Sequence, residues 1–166
     1  MNTSYKELFD KVEETSKEEY FETTLRKNIV TYEGLINYIG RELEEDNLKV
    51  NKNDSLNRNG KIVMVQSNTS VALANIIPFV REKLGENLDS LPDVLDRKNH
   101  DYGNSFDQLV DLYGDVAMSI RVSDKMSRLR SLLIEHKDSQ VDESINDTLL
   151  DLVGYMLLTL HYEITE

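Results

Sequence analysis

The sequence predicts a mainly α-helical bundle with one short β-hairpin near residues 48–66. Three observations carry that expectation. Apolar residues recur in steps of three and four over most of the chain, the signature of amphipathic helices. Only one run, Lys61–Gln66, is strand-like. The run from Leu149 to Leu160 is apolar nearly all round, which marks a helix enclosed by others.

Element by element, Tyr5, Leu8, Phe9 and Val12 give a first helix from Asn2 to about Thr15. Ser16 with Glu19 three residues on has the form of a capping box. The helix that it would start runs to about Glu45 through Tyr20, Leu25, Ile29, Tyr32, Leu35, Ile39 and Leu43, with weak points at Gly34 and Gly40. Residues 46–60 read as an Asn-rich polar loop. Lys61–Gln66 is the one strand-like run, with Leu48–Val50 as its expected partner. Ser67 to Ser70 offers an N-cap for a helix from Val71 to Leu84, kinked at Pro78 and ended by Gly85. Leu91–Arg97 predicts a helix and Lys98–Asn104 a turn. Ser105 opens a short helix to Leu112, and Gly114 stops it. Asp115 opens a long helix to about Glu135, 136–141 is a polar connection, and Asp142 starts a last helix to about Ile164. The domain expectation is a helical N-terminal region with its Asn-rich loop, 1–90, and a helical C-terminal region, 91–166, forming one compact unit.

Composition narrows the function classes. Without Cys there is no disulfide scaffold, thiolate zinc site or cysteine nucleophile. The 31 acids against 19 bases give a net charge of −12, which argues against a partner held by nucleic-acid phosphates. Met1–Lys6 leads into charges rather than an apolar run, so no secretory leader is expected. The longest apolar stretch, Leu149–Leu160, is far short of about 20 residues and contains Asp151, so no membrane partner is expected either. Cytoplasmic residence is the expectation. P-loop and dinucleotide-binding glycine motifs are absent, no Ser stands in a nucleophile elbow, and His100, His136 and His161 show no metal spacing.

The acid excess is concentrated after residue 90, where 15 acids face 7 bases, and there it is patterned. Glu143, Asp147 and Asp151 fall at i, i+4 and i+8 of the last helix. In apolar surroundings such a stack needs a compensating cation, base or proton. The preceding helix offers Arg121, Lys125 and Arg128 with Asp124 beside them. If the two helices are antiparallel, up to four carboxylates meet three cations. All-oxygen ligation by Asp124, Glu143, Asp147 and Asp151 suits Mg²⁺ or Mn²⁺, and the flanking bases suit phosphate. Together they describe a nucleotide polyphosphate site; the alternative is a structural salt-bridge network between two core helices. The 98–106 turn gathers Asp101, Tyr102 and Phe106, with Tyr155 on the last helix, as further ligand-binding candidates. Tyr102 and Phe106 have the rings to stack a base. A capped turn with Gly103 at positive φ is the other reading.

The blocks Lys98–Phe106, Tyr113–Gly114, Arg121–Leu129 and Asp142–Tyr155 resemble, in order and spacing, the first type of "nucleotide modification associated" domain, common in bacteriophage genomes. The resemblance spans roughly residues 92–162. The final block is more distantly similar to the second carboxylate motif of MazG-like all-α nucleoside triphosphate pyrophosphohydrolases. Here Glu143 and Asp147 stand four residues apart rather than three, and the first acidic motif is replaced by Arg121, Asp124, Lys125 and Arg128.

The resemblance implies a phage-type, nucleotide-handling protein in the host cytoplasm. As an enzyme it is a Mg²⁺-dependent phosphohydrolase, with Glu143 and Asp147 as catalytic acids. As a binder it captures a nucleotide, such as a host immune signal, without turning it over. A third reading is an acidic mimic of nucleic acid. Three or four clustered acids favour the enzyme; one or two acids paired to bases favour the binder. The apolar girth of the last helix further predicts a homodimer or higher homo-oligomer.

Overall fold

The computed structural model describes residues 3–18, 29–50, 57–58, 61–62, 67–140 and 143–164. It is a helical bundle of α1 (Tyr5–Ser16), α2 (Tyr32–Glu44), α3 (Asn68–Leu84), α4 (Leu91–Tyr102), α5 (Ser105–Tyr113), α6 (Val116–Leu129) and α7 (Ile145–Ile164). A hairpin pairs β1 (Asn57–Arg58) with β2 (Lys61–Ile62), antiparallel. The strand beginning at Lys61 thus pairs with Asn57–Arg58, not with Leu48–Val50: a two-residue connection closes with less loop entropy. No described helix is long and apolar enough to cross a membrane.

α7 is the axis of the bundle. Its buried residues include Leu149, Leu152, Val153, Met156, Leu157 and Leu160, pointing in every direction around the helix. It packs on α1, α3, α4, α5 and α6. One apolar cluster runs from Tyr5 through Leu73 and Met118 to Ile164. Polar ties fix the contacts. Tyr162 donates its hydroxyl to Asp111 at 2.6 Å, joining α7 to α5. His161 Nε2 lies 2.7 Å from the Thr3 carbonyl and its ring packs on Tyr5 at 4.5 Å between centroids, joining α7 to the chain's start.

Three sequence expectations are corrected. Ser16 is the last residue of α1, not an N-cap: it is buried and donates to the Glu13 carbonyl at 2.6 Å. Its supposed capping partner, Glu19, lies outside the described residues, as do Asp142 and residues 63–66. The next described helix begins at Tyr32, where Thr31 caps it by accepting from Gly34 N at 3.0 Å. Gly40 continues inside that helix. α4 runs on to Tyr102, so the turn after it shrinks to Gly103 and Asn104, with φ of +61° and +60°. Gly103 tolerates this left-handed geometry without a Cβ penalty, and Asn is one of the few other residues that accept it. Ser67 caps α3 as expected, accepting from Ser70 N at 3.2 Å, and α3 is continuous through Pro78. After α6 the chain widens into a π-helical turn, Arg130–Ile134, before the 135–140 connection.

Candidate functional site

Two features involve the candidate residues: an ion-pair knot between α6 and α7, and a cavity between α4, α5 and α7 with Arg121 of α6 at its edge.

Lys125 is the centre of the knot. Its Nζ lies 3.1 Å from Glu143 Oε1 and 3.0 Å from Asp151 Oδ2. Arg128 Nε lies 3.5 Å from Glu143 Oε2 and donates to Thr148 Oγ1 at 3.0 Å. Its guanidinium also donates to the Glu143 carbonyl and, at 3.2 Å, to Ser139 Oγ. Burial works against the charge on Lys125, but hydrogen bonds to Asp151 and Glu143 and the field of both carboxylates outweigh it, so its pKa is raised.

The expected stack of three acids is not assembled. Glu143 precedes α7, so helical spacing does not place it. Ser144 caps the helix: its Oγ accepts from Asp147 N at 3.0 Å, while Asp147 Oδ2 accepts from Ser144 N at 3.3 Å. Asp147 is thereby held at the helix N-terminus and exposed, and Asp124 is exposed on α6. Among the described residues no three His, Cys, Asp or Glu side chains converge in a way that could hold a metal ion. The donor set therefore does not fit the four-carboxylate Mg²⁺ or Mn²⁺ site: its two remaining acids already share one ammonium. Of the sequence candidates, Glu143, Asp151, Lys125 and Arg128 are brought together, and Asp124 and Asp147 are not.

The cavity, about 300 Å³, has an apolar floor from α4 and α7. Leu91, Leu95, Lys98 and Tyr102 follow one face of α4 at steps of four, three and four, so extending α4 to Tyr102 puts a cation and a ring over two leucines. Phe106 and Tyr155 face each other with centroids 6.3 Å apart and a 30° tilt. Arg121 enters from α6, exposed and with no ion pair among the described residues. Lys98 Nζ stands 3.7 Å from Asp151 Oδ1, linking the cavity to the knot. Asp101 does not line the cavity; it is exposed beside His100.

Lys98 and Asn99 were not singled out by the sequence because that segment read as a turn. The Leu91–Leu95–Lys98–Tyr102 spacing is the signal that finds them. A larger cavity, about 670 Å³, lies between α2 and α3, lined by Thr31, Asn37, Tyr38, Arg41 and Asn75 among others. It holds none of the sequence candidates; of these two cavities, the smaller one joins a pair of aromatic rings to Arg121 and the loosely paired Lys98.

Gly154 forms part of the floor. A Cβ there would stand 3.4 Å from Leu91 Cδ1 and 3.6 Å from Leu95 Cδ2, ordinary contact distances. The position therefore accepts a methyl group at the cost of cavity space.

Neither a curated protein nor a solved structure matches the chain. The segment that supplies Lys98, the aromatic pair, Arg121 and the whole ion-pair knot, residues 98–161, matches the family model described as nucleotide modification associated domain 1.

Proposed function

We infer that the chain binds a nucleotide in the α4–α5–α7 cavity and holds it without hydrolysing it. The observation that carries this reading is the allocation of charges. Lys125 and Arg128 are consumed by Glu143 and Asp151, whereas Arg121 and Lys98 remain at the cavity's edge to meet a phosphate. Phe106, Tyr155 and Tyr102 supply flat surfaces for a base. Two carboxylates clamped by one lysine are poorly disposed to gather metal for hydrolysis, and capture without turnover suits a sequestering role.

Native mass spectrometry of the chain mixed with a nucleotide pool tests this. An intact bound nucleotide is expected. Release of a shortened nucleotide with inorganic or pyrophosphate would instead support the hydrolase. Gly154→Ala gives a matched control. Alanine is favoured over glycine inside a helix by about 1 kcal/mol, so the melting temperature is expected to rise by about 2–4 °C. Nucleotide occupancy is expected to fall, because the new methyl group takes space beside Leu91 and Leu95. Unchanged occupancy would move the ligand away from this floor.

A second copy of the chain is also an expected partner, for a reason other than the girth of α7, which the chain's own helices cover. Leu112, Tyr113, Val116 and Ile120 are all more than half exposed around the α5–α6 corner. Light scattering at micromolar concentration is expected to give a dimer mass that drops to the monomer for Leu112→Asp/Ile120→Asp. A monomeric native chain would end this expectation.

A further inference from the structure

We propose that the cavity selects nucleoside monophosphates over the corresponding di- and triphosphates. The proposal rests on the nucleotide reading above and adds the number of phosphates. Four cationic side chains stand near the two features, and the structure divides them. Lys125 sits between Glu143 and Asp151 at 3.1 and 3.0 Å, and Arg128 is engaged by Glu143 and Thr148. Neither lines the cavity.

Lys98 and Arg121 do line it. Lys98 is 55% exposed in its side chain and only loosely paired, at 3.7 Å, with Asp151. Arg121 has no ion pair among the described residues. Two cations balance one phosphomonoester, which carries a charge of about −2 near neutral pH. Each further phosphate adds negative charge with no further cation to receive it, beside Asp151 and in a chain of net charge −12. Polyphosphates commonly enter protein sites with Mg²⁺ held by carboxylates. No described cluster of acids converges to accept that ion.

Size agrees with charge. A volume of about 300 Å³ is at the small end of ligand cavities. One base fits against Phe106 and Tyr155, with a single phosphate reaching Lys98 and Arg121.

The test titrates the full chain calorimetrically with the 5′-mono-, di- and triphosphates of adenosine, guanosine, cytidine and thymidine, with and without Mg²⁺. For at least one base, the monophosphate is expected to bind about tenfold or more tightly than the triphosphate, independently of Mg²⁺. Arg121→Ala and Lys98→Ala are each expected to weaken the monophosphate about tenfold or more while leaving the free nucleoside unchanged. Their melting temperatures report that the fold is intact. A triphosphate that binds as tightly as the monophosphate, or only with Mg²⁺, overturns the proposal and leaves nucleotide binding standing. Absence of binding by every compound overturns both.

Discussion

Lys125→Ala is expected to lower stability by about 2–3 kcal/mol. Breaking a buried ion pair from one side costs about 3–5 kcal/mol, because the partner's charge is left without compensation. Here Lys125, Glu143 and Asp151 retain 20%, 28% and 30% side-chain exposure, so solvent screens part of the loss. For a chain of this length the melting temperature should fall by about 5–10 °C. The triple replacement Lys125→Met, Glu143→Gln and Asp151→Asn should recover part of that loss: no carboxylate is then stranded, and Arg128, which gives up its ion pair with residue 143, keeps its bonds to Thr148 and to the carbonyl of residue 143. Arg121→Ala, one helical turn before Lys125 and outside the knot's ion pairs, should change the melting temperature little. Equal melting of the Lys125→Ala and native chains would mean that the α6–α7 knot is a solvated surface feature.

A second large effect should appear as a pH dependence. Glu163 is 3% exposed at the α3–α7 contact, where Thr69 Oγ1 donates to its Oε1 at 2.8 Å. Burial pushes its pKa up from 4.5 to about 7, partly offset by the hydroxyls of Thr69 and Ser67. The folded chain thus keeps this proton to higher pH than the unfolded chain does. Its contribution to stability is fully present below about pH 4.5 and is lost as pH rises through about 7. The interval corresponds to about 3 kcal/mol. Glu163→Gln removes the titration and preserves the shape. The difference in unfolding free energy between the native chain and Glu163→Gln, by denaturant titration at pH 5 and pH 8, isolates this group from all other acids. The glutamine variant should gain on the native chain by about 3 kcal/mol over that range. Parallel pH profiles would show that Glu163 titrates as an ordinary surface acid.

Legibility in the sequence followed the physics of each element. α7 was plain because its apolar residues leave no polar face, and α3 because the hydroxyls of Ser67–Ser70 stand just before the apolar run from Val71. α4 was cut short at Arg97 because Asn99, His100 and Asp101 resemble turn residues. His100 and Asp101 sit on its solvent side and Asn99 turns inward to donate to the Tyr5 hydroxyl, while Leu91, Leu95, Lys98 and Tyr102 keep the helical period. The true break needs positive φ, and only Gly103 and Asn104 supply it. The start of α2 was hidden because the apolar period from Tyr20 to Leu43 runs across it; one hydroxyl at Thr31 decides the boundary.

At the site, residue types were easier to read than positions. The structure brings Lys125, Arg128, Glu143 and Asp151 together and puts Arg121 at the cavity's edge, but spacing along one helix says nothing of an acid that precedes it. Glu143 reaches Lys125 from the connection, and Asp147, one turn before Asp151, is diverted to cap Ser144. The π-helical turn at Arg130–Ile134 has no signal in a period of 3.6.

The enclosure of α7 predicts that residues 98–161 expressed alone will not hold a native fold. Residues 98–161 include most of this helix, yet α7 also packs on α1 and α3, residues 5–16 and 68–84, which lie outside the segment. Cut free, the segment would expose Leu149, Met156 and Leu160 to water, and Tyr5 could no longer cover the ring of His161. In this chain α1 and α3 thus serve as a sheath that the matched segment needs for its own stability.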